Sequence, residues 1–354
     1  MKNILSYTPE ELKTLMSEIG EPSYRAGQIF TQLHRGITLE EMTNVGKATK
    51  QKLLAAVDCS VSQVKRKLVS KIDGTVKYLF ELSDKNCIES VVMDYKHGYT
   101  ICVSSQVGCR MGCRFCASTI AGRVRDLEAG EILGQIIAAQ RDLGVRISNV
   151  VMMGIGEPLD NYDNTVKFLQ LVNREDGLNI GYRHISVSTC GVVPKIYELS
   201  KLDMPITLSI SLHASRDEER SQIMPVNKRW GVEELLLACK DYYNATGRRI
   251  SFEYTLISGK NDTPQAAEHL AKTLNGALRT RTDTMPIHIN LIPVNEVEES
   301  GFKPTDRDAV KKFAALLEKR GIRATVRRTL GSDINASCGQ LRREDAKEDK
   351  KDGE

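Results

Sequence analysis

Between about residues 99 and 330, segments typical of buried β-strands alternate regularly with amphipathic helical segments. Such alternation favours right-handed βαβ units and a parallel sheet. Six strand–helix units indicate a partial (β/α)6 barrel, so the fold class predicted is α/β. Functional residues are then expected at the C-terminal ends of the strands. The six predicted strands span residues 99–105, 148–153, 185–189, 206–212, 250–257 and 287–293.

Two further segments precede this core, and a charged tail follows it. Residues 1–60 predict an N-terminal helical accessory domain, because apolar residues recur at helical spacing after a capping box at Thr8 and Glu11. Residues 61–98 alternate with a period of two around an Asp-Gly turn, which predicts a small antiparallel β-hairpin extension. The core then covers 99–341, and the tail 342–354, with eleven charged residues of thirteen, is expected to be disordered.

Three cysteines, Cys109, Cys113 and Cys116, lie within eight residues at the start of the predicted core. Thiolates are soft ligands that suit iron–sulfur clusters or zinc. Structural zinc normally takes four protein ligands, for which Cys102 could supply the fourth. Three thiolates alone would hold three irons of a [4Fe–4S] cluster and leave the fourth iron open to a small molecule. Three buried free thiols are the remaining interpretation.

Polar residues follow several of the predicted strands at the end where a ligand would lie. Any one of them could simply cap the loop that follows, but together they predict a ring around a polar cofactor. A glycine there permits close backbone approach, and a carboxylate can accept hydrogen bonds from an ammonium group. The candidates are Gly156, Glu157, Ser188, Ser211, Leu212, His213 and Asn295.

Composition narrows the setting in which the chain works. It has 354 residues, a net charge of +4 and nine cysteines, with no apolar run of about 18 residues or more and no signal-like N-terminus. We therefore expect a cytoplasmic, monomeric protein whose cysteines are ligands or reactive thiols. Basic residues could contact RNA phosphates or simply face solvent. They are Lys65, Arg66, Lys67 and Lys71 on the first hairpin, and Arg110, Arg114, Arg123, Arg125, Arg327 and Arg328 near the predicted site.

Taken together, the motifs VSSQVGC…C..C, GEP, STCG, SLH, PVN and D-I-x-A-x-C-G-Q-L resemble the RlmN/Cfr family of radical S-adenosylmethionine (SAM) RNA methyltransferases over nearly the whole chain. The likeness is closer to the adenine-C2 branch than to the C8 branch. It implies that Cys109, Cys113 and Cys116 hold a [4Fe–4S] cluster whose open iron binds SAM. The strand-end residues above are then expected to hold SAM, of which two are used per turnover.

The resemblance also implies a reaction. Because C2 of adenine is electron-poor, SAM cannot methylate it by simple displacement, so Cys338 first takes the methyl group. A 5′-deoxyadenosyl radical then activates that S-methyl group, which adds to C2. Cys102 resolves the resulting protein–RNA crosslink, leaving a Cys102–Cys338 disulfide, and Glu89 corresponds to the family's proton acceptor, although a glutamate on a strand is usually solvated.

Family members act on adenosine 2503 of 23S rRNA, and some also on adenosine 37 of certain tRNAs. Both adenines must be splayed out of any stack to reach a pocket. An external electron donor such as flavodoxin or ferredoxin is implied, and no membrane partner is expected. The alternatives are a C8 methyltransferase, which would use the same cysteines, a radical SAM activase, which would not need Cys102 and Cys338, and an RNA-binding protein stabilised by zinc or a cluster.

Overall fold

In the computed structural model, the described residues are 1–279, 285–294, 301–336 and 341. Three of the sequence predictions lie outside them: Asn295, Cys338 and the disordered tail at 342–354. No helix in these described ranges is both long and apolar enough to cross a lipid bilayer.

The N-terminal region contains three helices, as predicted: α1 (Pro9–Glu18), α2 (Arg25–His34) and α3 (Lys47–Ala56). The capping box at the start of α1 forms, with the Glu11 N–H donating to Thr8 Oγ1 at 3.2 Å and the Thr8 N–H donating to Glu11 Oε2 at 2.7 Å. These helices share one apolar core with the rest of the chain.

Ten strands form one sheet that begins antiparallel and continues parallel. The antiparallel part predicted as a β extension is confirmed: β1 (Gln63–Val69), β2 (Val76–Glu81) and β3 (Cys87–Tyr95) lead to β4 (Gly98–Cys102). The parallel strands that follow β4 are β7 (Ile147–Met152), β8 (Ile185–Thr189), β9 (Thr207–Ser211), β10 (Ile250–Leu256), β11 (His288–Pro293) and β12 (Arg323–Val326).

The α/β class and the incomplete barrel are therefore confirmed, and the six predicted core strands correspond to β4 and β7–β11. The seventh parallel strand, β12, was not predicted, because its four residues are mostly exposed and show no buried pattern. In the described part of the chain the sheet ends at β1 and β12 without closing on itself.

Helices cover the outer face of the parallel strands and separate them along the chain. They bury a continuous apolar core against the sheet, which leaves the strand ends to carry polar groups. The helices are α4 (Ala129–Leu143), α5 (Tyr162–Asn173), α6 (Val193–Leu199), α7 (Asp217–Ile223), α8 (Val232–Thr246), α9 (Pro264–Leu278) and α10 (Arg307–Lys319).

A separate two-stranded sheet closes the loop that carries the three clustered cysteines. It pairs β5 (Gln106–Gly108) with β6 (Arg123–Asp126) and was not predicted, because its strands are only three and four residues long. The loop between them therefore begins and ends at neighbouring points just beyond the end of β4.

Candidate active site

The cysteine loop is fixed by hydrogen bonds to backbone carbonyls at both ends. The Cys109 N–H donates to the Gly122 carbonyl at 3.1 Å, and Thr119 Oγ1 donates to the carbonyls of Cys113 and Cys116 at 3.2 and 3.0 Å. Gly108 must be glycine here, because its φ is +77° and an added Cβ would lie 1.9 Å from the Gly122 oxygen. The loop thus has a defined conformation set by its own chain.

Two of the three thiols, Cys109 and Cys113, are buried where negative charge is costly without a cation. Burial raises the pKa of Cys109 to about 12 and that of Cys113 well above its usual value, and the charges of the neighbouring cysteines and of Glu157 raise both further. Among the described residues, no three His, Cys, Asp or Glu side chains converge on a single ion-sized position. Three mutually repelling thiolates on one loop are a donor set that suits a cationic iron–sulfur core.

The Gly-Glu-Pro turn after β7 packs directly on the start of the cysteine loop. Gly156 has a φ of +111°, and a Cβ there would lie 2.7 Å from the Gln106 backbone nitrogen. The Glu157 N–H donates to Gln106 Oε1 at 2.9 Å. The close approach that requires glycine at position 156 is therefore to the protein's own backbone at Gln106.

The Glu157 carboxylate is buried and joins two strand ends. Its Oε2 accepts from the Cys190 N–H at 2.7 Å and its Oε1 accepts from the Leu159 N–H at 3.0 Å. Burial raises the pKa of Glu157, and these hydrogen bonds oppose that effect. Further hydrogen bonds come from the side chains of Cys190 and Thr189, so this carboxylate is surrounded by donors, and an ionised carboxylate can also accept from an ammonium ligand.

The Ser-Leu-His segment after β9 contains residues with different surroundings. The Ser211 side chain is half-buried, as is that of Ser188 on β8, whereas the Leu212 side chain is fully buried in the core. The carbonyls of Ser211 and Leu212 both accept from the buried guanidinium of Arg220. Leu212 can therefore contribute to a site only through its backbone, and its carbonyl is already engaged.

His213 connects the sheet to the cysteine loop. Its Nδ1 accepts from the Thr255 N–H at 2.9 Å, and its ring packs edge-on against Phe115 with 4.7 Å between centroids. Burial and the nearby Arg220 lower the pKa of His213 to about 3. The imidazole is therefore neutral, with its proton on Nε2.

A cavity of about 250 Å³ lies between the cysteine loop and the sheet. It brings together Cys102, at the end of β4, and Cys116, from the cysteine loop. Its other walls come from β3, the ends of β10 and β11, and residues 327–330 and 336. Lining residues include Met93, Phe115, Thr255, Arg327, Arg328 and Ala336.

Glu89 is fully buried, contrary to the usual solvated state of a glutamate on a strand. Its Oε2 lies 3.2 Å from Lys77 Nζ, which is also fully buried and donates to the Asn335 carbonyl at 2.8 Å. The alternation of β2 predicts Lys77 on a solvent face. Both faces of β2 are instead covered.

The β extension also holds the C-terminal segment at its hairpin turn. Asp73 Oδ2 accepts from the Gly331 N–H at 2.8 Å. Asp333 accepts from Ser70 Oγ at 2.7 Å and from the Lys71 N–H at 2.8 Å. The chain leading toward Cys338, which itself lies outside the described residues, is thus anchored to the extension up to Asn335.

Several of the basic residues predicted as phosphate contacts are paired with acids. Arg110 pairs with Asp160, Arg123 with Asp126, and Arg125 with both Asp84 and Glu131. On the first hairpin, Lys67 Nζ lies 2.6 Å from Asp142 Oδ2. Arg327 and Arg328, by contrast, line the cavity.

Two residues of the site gave no sequence signal. Arg220 lies in the run DEER, which is typical of a solvated helix, and Lys77 lies on an alternating strand. Both are fully buried. Only their tertiary surroundings distinguish them from surface residues.

Two family models match the chain. Residues 103–272 match the radical SAM superfamily, and residues 2–58 match the ribosomal RNA large subunit methyltransferase N-terminal domain. Together they cover the three N-terminal helices, the cysteine loop and the parallel strands β7–β10.

Similar proteins extend the likeness over the whole chain. It is 52% identical to a probable dual-specificity RNA methyltransferase RlmN of Clostridium novyi, covering 97% of this chain and 98% of that protein. It is also 52% identical to one of the same name from Clostridium tetani, covering 99% of each. A crystal structure of a radical SAM methyltransferase from Sphaerobacter thermophilus superposes with a TM-score of 0.90 at 39% identity, covering 96% of this chain and 99% of that one.

Proposed function

The chain belongs to the RlmN family of radical SAM RNA methyltransferases, and we propose that it methylates C2 of adenosine 2503 in 23S rRNA and of adenosine 37 in certain tRNAs. The family implies a [4Fe–4S] cluster and SAM as cofactors. We place the enzyme in the cytoplasm with its RNA substrates, as a monomer supplied with electrons by a donor such as flavodoxin or ferredoxin.

The observation that carries the proposal is the cavity shared by Cys102 and Cys116. Cys116 belongs to the loop proposed to hold the cluster, and Cys102 is the cysteine proposed to resolve the RNA adduct. Ala336, two residues before Cys338 in the chain, lines the same cavity. A radical SAM activase has no need of a reactive thiol beside the cluster loop.

When bound, the cluster and SAM supply a methyl group and one-electron chemistry at carbon. Cys109, Cys113 and Cys116 would hold the cluster. Gly156, Glu157, Ser188, Ser211, His213 and Asn295, together with the Leu212 backbone, would hold SAM. The Glu157 carboxylate is suited to the SAM ammonium group, because it is a buried acceptor fixed at the strand ends by the Leu159 and Cys190 N–H groups.

The remaining steps depend on the chain's own thiols. Cys338 would accept the methyl group of a first SAM and carry it as S-methylcysteine to C2 of the adenine, with a second SAM consumed in activating it. The Cys102 thiolate would then attack the Cys338 sulfur, forming the Cys102–Cys338 disulfide and breaking the bond from that sulfur to the carbon now on C2. That carbon would take up a proton as the methylated RNA leaves, and the disulfide would have to be reduced before the next turnover. Glu89 would accept the proton lost from C2. It lies beside Lys77, which binds the Asn335 carbonyl three residues before Cys338 in the chain.

Nucleoside mass spectrometry tests the function. Protein reconstituted anaerobically with iron and sulfide is given SAM, a reductant, and unmodified 23S rRNA or tRNA. We expect 2-methyladenosine in both RNAs, whereas 8-methyladenosine would assign the C8 reaction instead. Cleavage of SAM without methylation of either RNA would refute the substrate assignment.

Cysteine variants test the assigned roles in the same assay. Cys116→Ala should lose the visible absorbance of the cluster, and Cys338→Ala should keep the cluster but lose turnover. Cys59→Ala serves as the matched control, because Cys59 is half-buried and packs against the N-terminal core. Full turnover by Cys338→Ala would refute the S-methylcysteine route.

A further inference from the structure

Arg220 is a fully buried cation on helix α7, the first helix after β9. Its side chain is 0% exposed. Burying a guanidinium costs several kcal/mol unless other groups compensate for its lost hydration. A buried arginine is therefore normally matched by an acid.

The groups that bind Arg220 here are all formally neutral. Its Nε donates to the Leu212 carbonyl at 2.9 Å, and one terminal nitrogen donates to the carbonyls of Cys190 and Ser211 at 2.7 and 3.0 Å. The other terminal nitrogen donates to Asn227 Oδ1 at 2.9 Å. Within the described ranges, the guanidinium forms no salt bridge with a carboxylate. Asp217 is linked to it only through Asn227, whose Oδ1 accepts from Arg220 and whose Nδ2 donates to Asp217 Oδ1 at 2.8 Å.

The helix that carries Arg220 packs directly on the cysteine loop. The Arg114 N–H donates to the Ile223 carbonyl at 2.9 Å, and a Cβ at Gly112 would lie 3.4 Å from Pro225 Cγ. Cys113 shares a small apolar cluster with Cys190 and Ile223. Arg220 donates to the carbonyl of Cys190, a member of that same cluster, so its guanidinium is tied to the layer in which Cys113 is buried.

We propose that Arg220 is the fixed counter-charge of the cluster site: it stabilises the negative charge on Cys113 and on the iron–sulfur cluster bound there, and so raises the reduction potential of the cluster. An oxidised [4Fe–4S] core carries about +2, so three thiolates leave the site near −1, and one electron from an external donor takes it near −2. A fixed positive charge in a low-dielectric setting favours the more negative state.

This inference rests on the cluster that the family implies and not on the RNA chemistry. The test is therefore made without RNA or SAM. The midpoint potential of the reconstituted cluster is measured by titration with a reductant such as dithionite or titanium(III) citrate, with the reduced cluster followed by its electron paramagnetic resonance signal.

Arg220→Met removes the charge while keeping most of the length. We expect the ratio of reduced to oxidised cluster at a fixed potential to fall by at least about tenfold, which is ~59 mV for one electron. Arg220→Lys keeps the charge but loses the planar fork, and should shift the potential by less than half as much. Arg279→Met is the control. Arg279 follows helix α9 and also binds a backbone carbonyl, but that carbonyl belongs to Gly321, just before the N-terminal end of β12.

The proposal is overturned if cluster-loaded Arg220→Met has the wild-type potential. It is also overturned if Arg220→Lys shifts as far as Arg220→Met, since that would assign the effect to hydrogen bonding. If Arg220→Met does not retain iron, Arg220→Lys decides: a potential close to the wild type supports the counter-charge, and a fall of tenfold or more in the reduced fraction refutes it. Iron content and circular dichroism verify that each variant is folded and loaded.

Discussion

Replacing Lys77 with methionine should destabilise the protein far more than a typical lysine substitution. Lys77 and Glu89 are both fully buried with 3.2 Å between Nζ and Oε2, and Nζ also donates to the Asn335 carbonyl. Breaking a buried ion pair by removing one of its members costs about 3–5 kcal/mol. We expect a loss of that size in the free energy of unfolding of Lys77→Met.

The double variant Lys77→Met/Glu89→Leu separates the stability lost by breaking the ion pair from the stability lost through poorer packing. Replacing both charges with apolar groups of similar size is often neutral or stabilising. The double variant should therefore recover most of the loss. Lys67→Met is the control, because Lys67 pairs with Asp142 on the partly exposed face, where such a pair contributes about 1 kcal/mol or less.

Urea unfolding at pH 7, followed by circular dichroism and by the fluorescence of the single tryptophan, Trp230, measures these differences. The reasoning fails if Lys77→Met loses less than about 1 kcal/mol, or if the double variant loses as much as the two single variants added together. A second readout is methylation of Cys338 by SAM, seen as a mass increase of the protein. It should fall in Lys77→Met, because the Asn335 carbonyl loses its donor.

Three further substitutions test other parts of the site. Gly156→Ala should lose SAM affinity by calorimetry, since its Cβ would lie 2.7 Å from the Gln106 nitrogen at a φ of +111°, whereas Gly276→Ala, with open space around it, should bind as the wild type does. The pKa of His213 is about 3 in the fold and about 6.5 when unfolded. Because the unfolded chain binds the proton first, the free energy of unfolding should fall as the pH drops from about 6.5 towards 3. His213→Gln should remove that part of the pH dependence in unfolding titrations. Asp333→Asn should speed proteolysis near residue 330 and lower Cys338 methylation, because a neutral amide has one acceptor oxygen for the two donors now bound; unchanged rates would dismiss the anchor.

The predictable parts of the fold are those in which buried apolar residues recur at the spacing of a helix or a strand. The core strands β4 and β7–β11 and the three N-terminal helices bury regular faces, so hydrophobic spacing predicted them. Strand β12 and the β5–β6 pair are too short to show a period. The cysteine loop was predictable because its spacing reflects its chemistry.

Burial of charge was not predictable, because it depends on what covers a strand or helix from outside. Lys77 lies between two apolar residues on β2, a pattern that indicates a solvent face, yet the C-terminal segment covers that face, and Lys77 Nζ donates there to the Asn335 carbonyl. Arg220 follows three acidic residues, a pattern typical of an exposed helix. Its burial results from helix α7 packing on the ends of β8 and β9, where the carbonyls of Cys190, Ser211 and Leu212 accept from its guanidinium.

Cys190 links two oppositely charged side chains through its own main chain. Its N–H donates to Glu157 Oε2 and its carbonyl accepts from Arg220, each at 2.7 Å. A carboxylate proposed to hold SAM and a guanidinium proposed to stabilise the cluster are thus fixed to the same residue at the end of β8. Both bonds use the main chain, so Cys190→Ala would preserve them and remove only the hydrogen bond that the Cys190 thiol makes to Glu157. Charge-removing substitutions at 157 and 220 are therefore the ones that would expose the coupling.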